Sequence, residues 1–186
     1  MDTDFRATCL TDILRMYRNY KTLGERALAQ VADDAHLHVQ LDAESNSIAV
    51  VVKHLAGNLR SRFRDFLTTD GEKPDRHRDG EFEMPERVTR AEIMRWWNEG
   101  WATALGSIEA LTPADLERTV YVRGEPLLVI ETLNRLVTHA AYHVGQIVFL
   151  SKHFASSNWQ SLSIPRGMSE KVGQGSYKQA FVPPGR

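Results

Sequence analysis

Two histidines are spaced so that they can share one metal ion. His139 and His143 stand at positions i and i+4 of the segment HAAYH. On a helix, these positions share a face with Cβ atoms about 6 Å apart, so both imidazoles can reach the same ion. Alanine follows the first histidine, where the HExxH zinc proteases carry their glutamate base. The spacing therefore favours a metal-binding pair and argues against a metalloprotease.

The surroundings of the pair place it at the interior of a helical protein. An apolar stripe at helical spacing runs beside it, formed by Ile130, Leu133, Val137, Ala140, Val144 and Ile147. A buried polar group without a partner costs about 1–3 kcal/mol, and a metal ion would satisfy both rings. Upstream, His54 forms a row with Val51 and Asn58 beside a second apolar stripe. If the two helices are neighbours, His54 completes a three-histidine site; if they are diagonal, no site forms.

The other four histidines lack this context. His36 and His38 lie in a polar connection, His77 lies in a charged loop and His153 lies near a helix end. We expect all four to face solvent.

Four helical segments must position the candidate ligands. Apolar periodicity predicts four helices, over about 4–30, 48–68, 90–111 and 126–154. The second helix could be capped by Ser45, Asn46 or Ser47, and the third by Thr89 in a capping box. The segment TVYVRGEPL, before the last helix, could form a small hairpin or an extended loop. The fold class is therefore all-α, with one four-helix bundle over residues 1–154. An irregular extension, residues 155–186, packs on the bundle or on a dimer mate.

Composition sets the broad class of the protein. The chain of 186 residues has 42% hydrophobic residues and a formal net charge of −1. This balance argues against nucleic acid as a partner, and no apolar run reaches the ~18 residues of a membrane span. The single cysteine, Cys9, and the absence of a secretory leader favour a cytoplasmic protein.

The segments HLAGN, beginning at His54, and HAAYHVGQ, ending at Gln146, together resemble the DinB/YfiT-like family. The similarity covers residues 4–154. The segments SNSIAVVVKHLAGNLRSRFRDFLTTDGEKPDR and SLSIPRG are similar to an uncharacterised bacterial branch of it. The resemblance implies an up-down-down-up four-helix bundle, often dimeric, with a metal triad that corresponds to His54, His139 and His143. Relatives with known activity are metal-dependent transferases or isomerases that use low-molecular-weight thiols.

Two functional hypotheses follow. Three imidazoles leave a coordination position open on a divalent metal, zinc or nickel, as in catalytic sites. The open position could hold water, or a thiol as its nucleophilic thiolate, which suggests a thiol S-transferase or a hydrolase acting with an electrophilic small molecule. Asn58 and Gln146 could hydrogen-bond a ligand or substrate there, or be ordinary helix-flank amides. The alternative is a non-catalytic, metal-stabilised homodimer, a stress-response binding module whose interface could include Trp96, Trp97 and Trp101. These tryptophans could instead fill the core of the monomer, and for Trp97 we favour the core.

Overall fold

Four α-helices and one short hairpin form the structure. The computed structural model describes residues 4–85, 88–168 and 170. The helices are α1 (Phe5–Leu28), α2 (Ile48–Phe63), α3 (Arg90–Glu109) and α4 (Val129–Ala155). The strands β1 (Thr119–Val122) and β2 (Glu125–Leu128) pair antiparallel immediately before α4. Single 3₁₀ turns lie at Asp34–Leu37, Asp79–Glu81, Pro113–Glu117 and Ser156–Asn158. The protein is mostly helical, as predicted, and the pattern is compatible with an all-α bundle.

Helix α2 is the central element of the core. Of its 16 residues, 13 are buried, so the helix is enclosed on nearly every side and not on one face alone. It packs on α3 and also contacts α4. At the α3 contact, a Cβ atom on Gly100 would lie 2.8 Å from Cα of Ala56, which shows how closely the two backbones approach. The contact between α2 and α4 rules out the diagonal arrangement that would have kept His54 from the other two histidines.

Aromatic side chains fill the space between the helices. The Tyr17 hydroxyl, fully buried on α1, donates a hydrogen bond of 3.0 Å to the carbonyl of Leu133 on α4. Trp97 and Trp101 are 1% and 0% exposed, so both belong to the core and neither is available for a dimer surface. Trp96 is only half-buried, with the Lys53 ammonium 5.9 Å from its ring centroid.

Two helix boundaries differ from those predicted. Helix α2 ends at Phe63, five residues before the expected position 68, because Arg64 is extended and Asp65 adopts a left-handed φ of 50°. Helix α4 begins at Val129 and not at residue 126, because Glu125–Leu128 pairs with β1. The hairpin is therefore the correct alternative for TVYVRGEPL. Its two-residue turn has positive φ at both Arg123 and Gly124, as the twist of a tight hairpin requires.

The predicted starts of α2 and α3 are confirmed by their capping contacts. The Ser47 hydroxyl accepts a hydrogen bond from the amide of Val50, which selects Ser47 from the three candidate caps. Thr89 and Glu92 form a reciprocal capping box at the start of α3. These local bonds satisfy amides that a helix terminus leaves without intrahelical partners.

The first residues after α4 contact the bundle. Leu162 is 9% exposed and belongs to the core cluster, with Trp159 packed against it. Gln30, just after α1, exchanges two hydrogen bonds with the backbone of Gln160. Residue 169 and residues 171–186, the rest of the predicted extension, lie outside the described residues. Within the described part of the chain, no helix is both long and apolar enough to cross a membrane.

Candidate metal centre

The three predicted histidines lie together between α2 and α4. The ring centroids are 4.8 Å apart for His54 and His143, 5.5 Å for His54 and His139, and 4.6 Å for His139 and His143. One candidate ligand atom from each ring lies within 4.8 Å of the other two. Two nitrogens bound to one zinc ion at about 2.1 Å each can be at most about 4.2 Å apart. The nitrogens lie at most about 0.6 Å beyond this limit, so a small rotation of the rings would allow one metal ion to bind between them.

His54 is oriented by a carboxylate that sequence reasoning did not identify. Its Nδ1 lies 2.9 Å from Oε2 of Glu81, in the loop after α2. An ionised carboxylate only accepts hydrogen bonds, so Nδ1 carries the proton and Nε2 keeps its lone pair. A carboxylate that accepts from a histidine in this way fixes the tautomer and ring orientation needed for metal ligation.

Glu81 is itself held in place by Arg76. The Arg76 guanidinium donates two hydrogen bonds to it, of 2.9 Å to Oε1 and 3.0 Å to Oε2. Burial alone would raise the pKa of Glu81, but the hydrogen bonds from His54 and Arg76 outweigh it and lower that pKa below its usual value. Glu81 is therefore ionised at neutral pH, although it is only 7% exposed.

Gly57 provides the space that Glu81 occupies. A Cβ atom at position 57 would lie 2.2 Å from Oε1 and 2.7 Å from Cδ of Glu81. Glycine in a helix interior normally costs about 0.5–1 kcal/mol relative to alanine. The close packing of Glu81 against α2 therefore explains a glycine at position 57. A glycine inside an apolar helix is a sequence signal that could have indicated a group packed against α2 beside His54.

The loop that carries Arg76 and Glu81 is tied to the hairpin. The Asp70 carboxylate accepts hydrogen bonds from the backbone amides of Arg123, at 2.8 Å, and Gly124, at 2.7 Å. The amide of Gly71 donates to the carbonyl of Tyr121 at 2.7 Å. These bonds connect the hairpin turn to the segment that positions His54.

His143 has one ring nitrogen paired and one without a partner. Its Nδ1 lies 2.9 Å from Oε1 of Gln146, the amide acceptor one turn further along α4. Its Nε2 is buried and has no hydrogen-bond partner among the described residues. Nδ1 of His139 is in the same condition. Because buried polar atoms in folded proteins almost always have partners, these two nitrogens favour an occupant between the rings.

His139 and His143 are both neutral at physiological pH. Burial lowers the pKa of His139 to about 4, with a further contribution from repulsion by the His143 and His54 rings. Burial also lowers the pKa of His143 to about 4, although the hydrogen bond with Gln146 acts in the opposite direction. Neutral imidazole is the form that binds metals, so these two rings do not need to lose protons before binding an ion at pH 7.

The donor set fits a divalent cation with an open coordination position. Imidazole nitrogen suits zinc, nickel, copper and iron. Within the described residues, no fourth histidine, cysteine, aspartate or glutamate joins the three-histidine group. Three protein ligands are typical of catalytic metal sites, whereas structural zinc sites usually have four.

A cavity of about 210 Å³ extends from the cluster along the groove between α2 and α4. His54, His139 and Asn58 line it, together with five arginines described below. Asn58 is 7% exposed, and its Oδ1 has no hydrogen-bond partner in the described part of the chain. Asn58 is therefore buried beside the cluster, next to the cavity.

A second cavity of about 560 Å³ lies on the other side of Tyr142. Gln146, Phe149 and Leu41 contribute to its largely apolar lining. Tyr142 lines both cavities, and its ring centroid lies 4.0 Å from that of His143. The Tyr142 ring thus packs on His143, although the side chain is 54% exposed.

The remaining histidines lie away from the cluster. His38, His77 and His153 are exposed, as predicted. The prediction was wrong for His36, which is half-buried because its ring stacks on Phe154 at a centroid distance of 4.6 Å.

The fold and the site thus define a mostly helical protein, with four α-helices among its described residues and a three-histidine cluster that could bind a metal. The chain matches the family described as "Protein of unknown function (DUF1572)" over residues 4–168 and belongs to that family. No curated protein matches the chain.

Proposed function

We propose that this protein binds one divalent metal ion through His54, His139 and His143 and catalyses a thiol-dependent transferase reaction. The observation that carries the proposal is the convergence of three rings, two of them with a buried unpartnered nitrogen, next to a cavity. A site closed by a fourth protein ligand would favour a purely structural metal. Zinc and nickel are the ions we expect, because both accept imidazole nitrogen.

The reaction we propose joins a low-molecular-weight thiol to an electrophilic small molecule. The thiol sulfur forms a bond to an electrophilic carbon, the bond from that carbon to its leaving group breaks, and the leaving group takes the electron pair. The thiol proton passes to solvent. When bound, the metal supplies Lewis-acid chemistry that favours the thiolate, which is the nucleophilic form. The first cavity is lined by His54 and His139 and gives a reactant direct access to the cluster. The second cavity is lined by Tyr142 and Gln146, which both contact His143, and it offers space for the other reactant beside the cluster.

The chain's own polar groups hold and orient these parts. Glu81 keeps the proton of His54 on Nδ1, and Gln146 does the same for His143. Asn58 is available to hydrogen-bond a substrate, because its amide lines the cavity. No general base is required, since all three histidines are assigned as ligands and the proton leaves through the solvent-facing end of the cavity.

The proposal is tested first by elemental analysis of protein purified without a polyhistidine tag. We expect about one zinc or nickel per chain, retained in His153→Ala and lost in His54→Ala and His139→Ala. His153 is a matched control because it is an exposed histidine on α4. Equal metal content in the wild type and all three variants would overturn the metal site.

Catalysis is tested separately with the metal-loaded protein, a panel of small thiols and a chromogenic electrophile. We expect conjugation above the rate of the His139→Ala control. Turnover equal to that control, in protein that retains its metal, would overturn the enzymatic proposal.

We also propose that the bundle is DinB-like, with up-down-down-up helix order. Val51, early on α2, shares a cavity with Gln146 and Phe149, which lie late on α4. Arg62, near the end of α2, shares the other cavity with Thr132, near the start of α4. This opposite course supports antiparallel packing of these two helices, which the proposed order requires.

The alternative function is a non-catalytic, metal-stabilised homodimer that acts as a stress-response binding module. The observation that favours it is the set of large apolar side chains exposed around the second cavity: Phe149 at 65%, Tyr142 at 54% and Leu41 at 43%. A dimer in sedimentation analysis that Phe149→Ser converts to a monomer, in metal-loaded protein without turnover, would support the module over the enzyme.

A further inference from the structure

Five arginines line the cavity that opens from the histidine cluster: Arg62, Arg76, Arg78, Arg123 and Arg135. No described carboxylate lines this cavity. We propose that it is a binding site for a compact oxyanion, such as a carboxylate or phosphate group. The inference deepens the proposed function, on which it rests for its link to substrate: one of the reactants carries a negative charge beside its reacting atom.

Three of these arginines, Arg62, Arg76 and Arg123, are held in place by ion pairs with glutamates. Arg62 on α2 and Arg123 on the hairpin both donate to Oε2 of Glu72, at 2.9 and 2.8 Å. Glu72 also lies 3.9 Å from Arg76, so this one carboxylate serves three guanidinium groups. Together with Glu81, the second carboxylate on Arg76, the group of three arginines and two carboxylates retains a net positive charge. Arg76 is engaged by Glu81, as described above. These ion pairs orient the arginines without neutralising the groove.

Two further arginines lie at the rim of the cavity with few bonds to the rest of the protein. Arg135 is one helical turn before His139 on α4, and it forms no ion pair with any described carboxylate. Arg78, on the loop side, lies 5.4 Å from the Phe82 ring centroid and 3.6 Å from the carboxylate of the exposed Asp79. Both arginine side chains are exposed, so they can close on an incoming anion with little loss of existing bonds.

Asn58 supplies a neutral donor deeper in the same groove. It follows His54 by one turn and precedes Arg62 by another, so the three residues form a single row along α2. Its amide can present either its oxygen or its NH₂ group to the cavity, since the two are related by rotation of the terminal torsion. A buried amide whose oxygen has no described partner, between a metal-binding ring and a guanidinium, is suited to an oxyanion that accepts from both Asn58 and Arg62.

The size of the cavity restricts the ligand. A volume of about 210 Å³ is equivalent to about seven water molecules at ~30 Å³ each, below the ~300–1,000 Å³ of pockets for drug-sized ligands. The site therefore suits an anionic group with a few attached atoms.

Calorimetric titration with inorganic phosphate and with succinate tests the site in metal-free and zinc-loaded protein at low ionic strength. We expect both anions to bind, with Arg135→Gln and Arg78→Gln weakening the affinity about tenfold, as for loss of one charge-assisted hydrogen bond. Arg95→Gln is the matched control, because Arg95 is exposed on α3, where it pairs with Glu99. We expect it to bind as the wild type does. Tighter binding of phosphate or of succinate identifies which oxyanion the groove prefers.

Neither test variant leaves a buried carboxylate without its partner, so circular dichroism should report unchanged folding. Absence of anion binding by the wild-type protein, or equal affinity in the arginine variants and the Arg95→Gln control, would overturn the anion site even if zinc binds. Anion binding in metal-free protein that also fails to bind zinc would support the anion site and contradict only the proposed function.

Discussion

Nδ1 of His54 and Oε2 of Glu81 are 2.9 Å apart, although 27 residues separate them in the chain. This contact joins a helix and an irregular loop at the point where the three imidazoles meet. It gives His54 the tautomer with a free Nε2, so the geometry of the site depends on a loop as much as on the bundle.

Glu81→Gln should weaken metal binding by about 10–100-fold, the usual cost of removing the group that orients a ligating histidine. The amide no longer carries the charge that fixes the proton on Nδ1 of His54 and pairs with Arg76. Competition for zinc with a chromophoric chelator measures the affinity. Glu83→Gln is the control, since Glu83 is exposed on the same loop. Equal affinities in the two variants would contradict the orienting role.

Gly57→Ala should also weaken zinc binding, because the new methyl group occupies the position of the Glu81 carboxylate. An alanine at an open helical position instead stabilises by about 0.5–1 kcal/mol. Gly106→Ala on α3 provides that comparison, since a Cβ atom at position 106 would meet no other group within 4 Å. Urea unfolding and zinc competition should show a gain in stability with unchanged affinity for Gly106→Ala. The same result for Gly57→Ala would refute the packing explanation.

Gly100→Ala should destabilise the fold by about 1–3 kcal/mol, the range for overpacking in a core. The added Cβ meets the backbone of Ala56 on α2, which cannot rotate away as a side chain can. A lower denaturant midpoint than that of Gly106→Ala, on the same helix, is the expected result. Equal midpoints would show that α2 and α3 separate at little cost.

The metal-free protein should lose stability as the pH falls from about 6.5 to about 4. In the unfolded chain, His139 and His143 take up protons near the ordinary pKa of about 6.5, whereas in the folded protein the pKa of each is about 4. The unfolded state therefore binds more protons over this interval, and the free energy of unfolding rises with pH. Urea midpoints measured in chelator at pH 7, 5.5 and 4.5 test this. The double variant His139→Gln, His143→Gln should show a weaker dependence; an unchanged slope would place the acid sensitivity elsewhere.

Much of the site could be predicted from helical spacing. His139 and His143 follow from a local i, i+4 relation, and the row of His54 on α2 follows from the same periodicity. Glu81 and Arg76 could not be found this way, because their segment has no hydrophobic period and its path is set by tertiary contacts. The predictions for the last residue of α2 and the first residue of α4 were wrong for a similar reason. The left-handed conformation of Asp65 ends α2 early, and the pairing of β2 with β1 delays the start of α4, so tertiary structure overrides local helix preference in both places.

The bonds from Asp70 and Gly71 to the hairpin turn have a mechanical consequence. The hairpin turn, which carries Arg123, is hydrogen-bonded to the same loop that carries Glu81, and Glu81 is hydrogen-bonded to His54. We therefore expect a displacement of the turn to shift the loop and, with it, the imidazole of His54. Lengthening the turn by a residue would disturb the ring's orientation from a distance, without altering any group that touches the histidines.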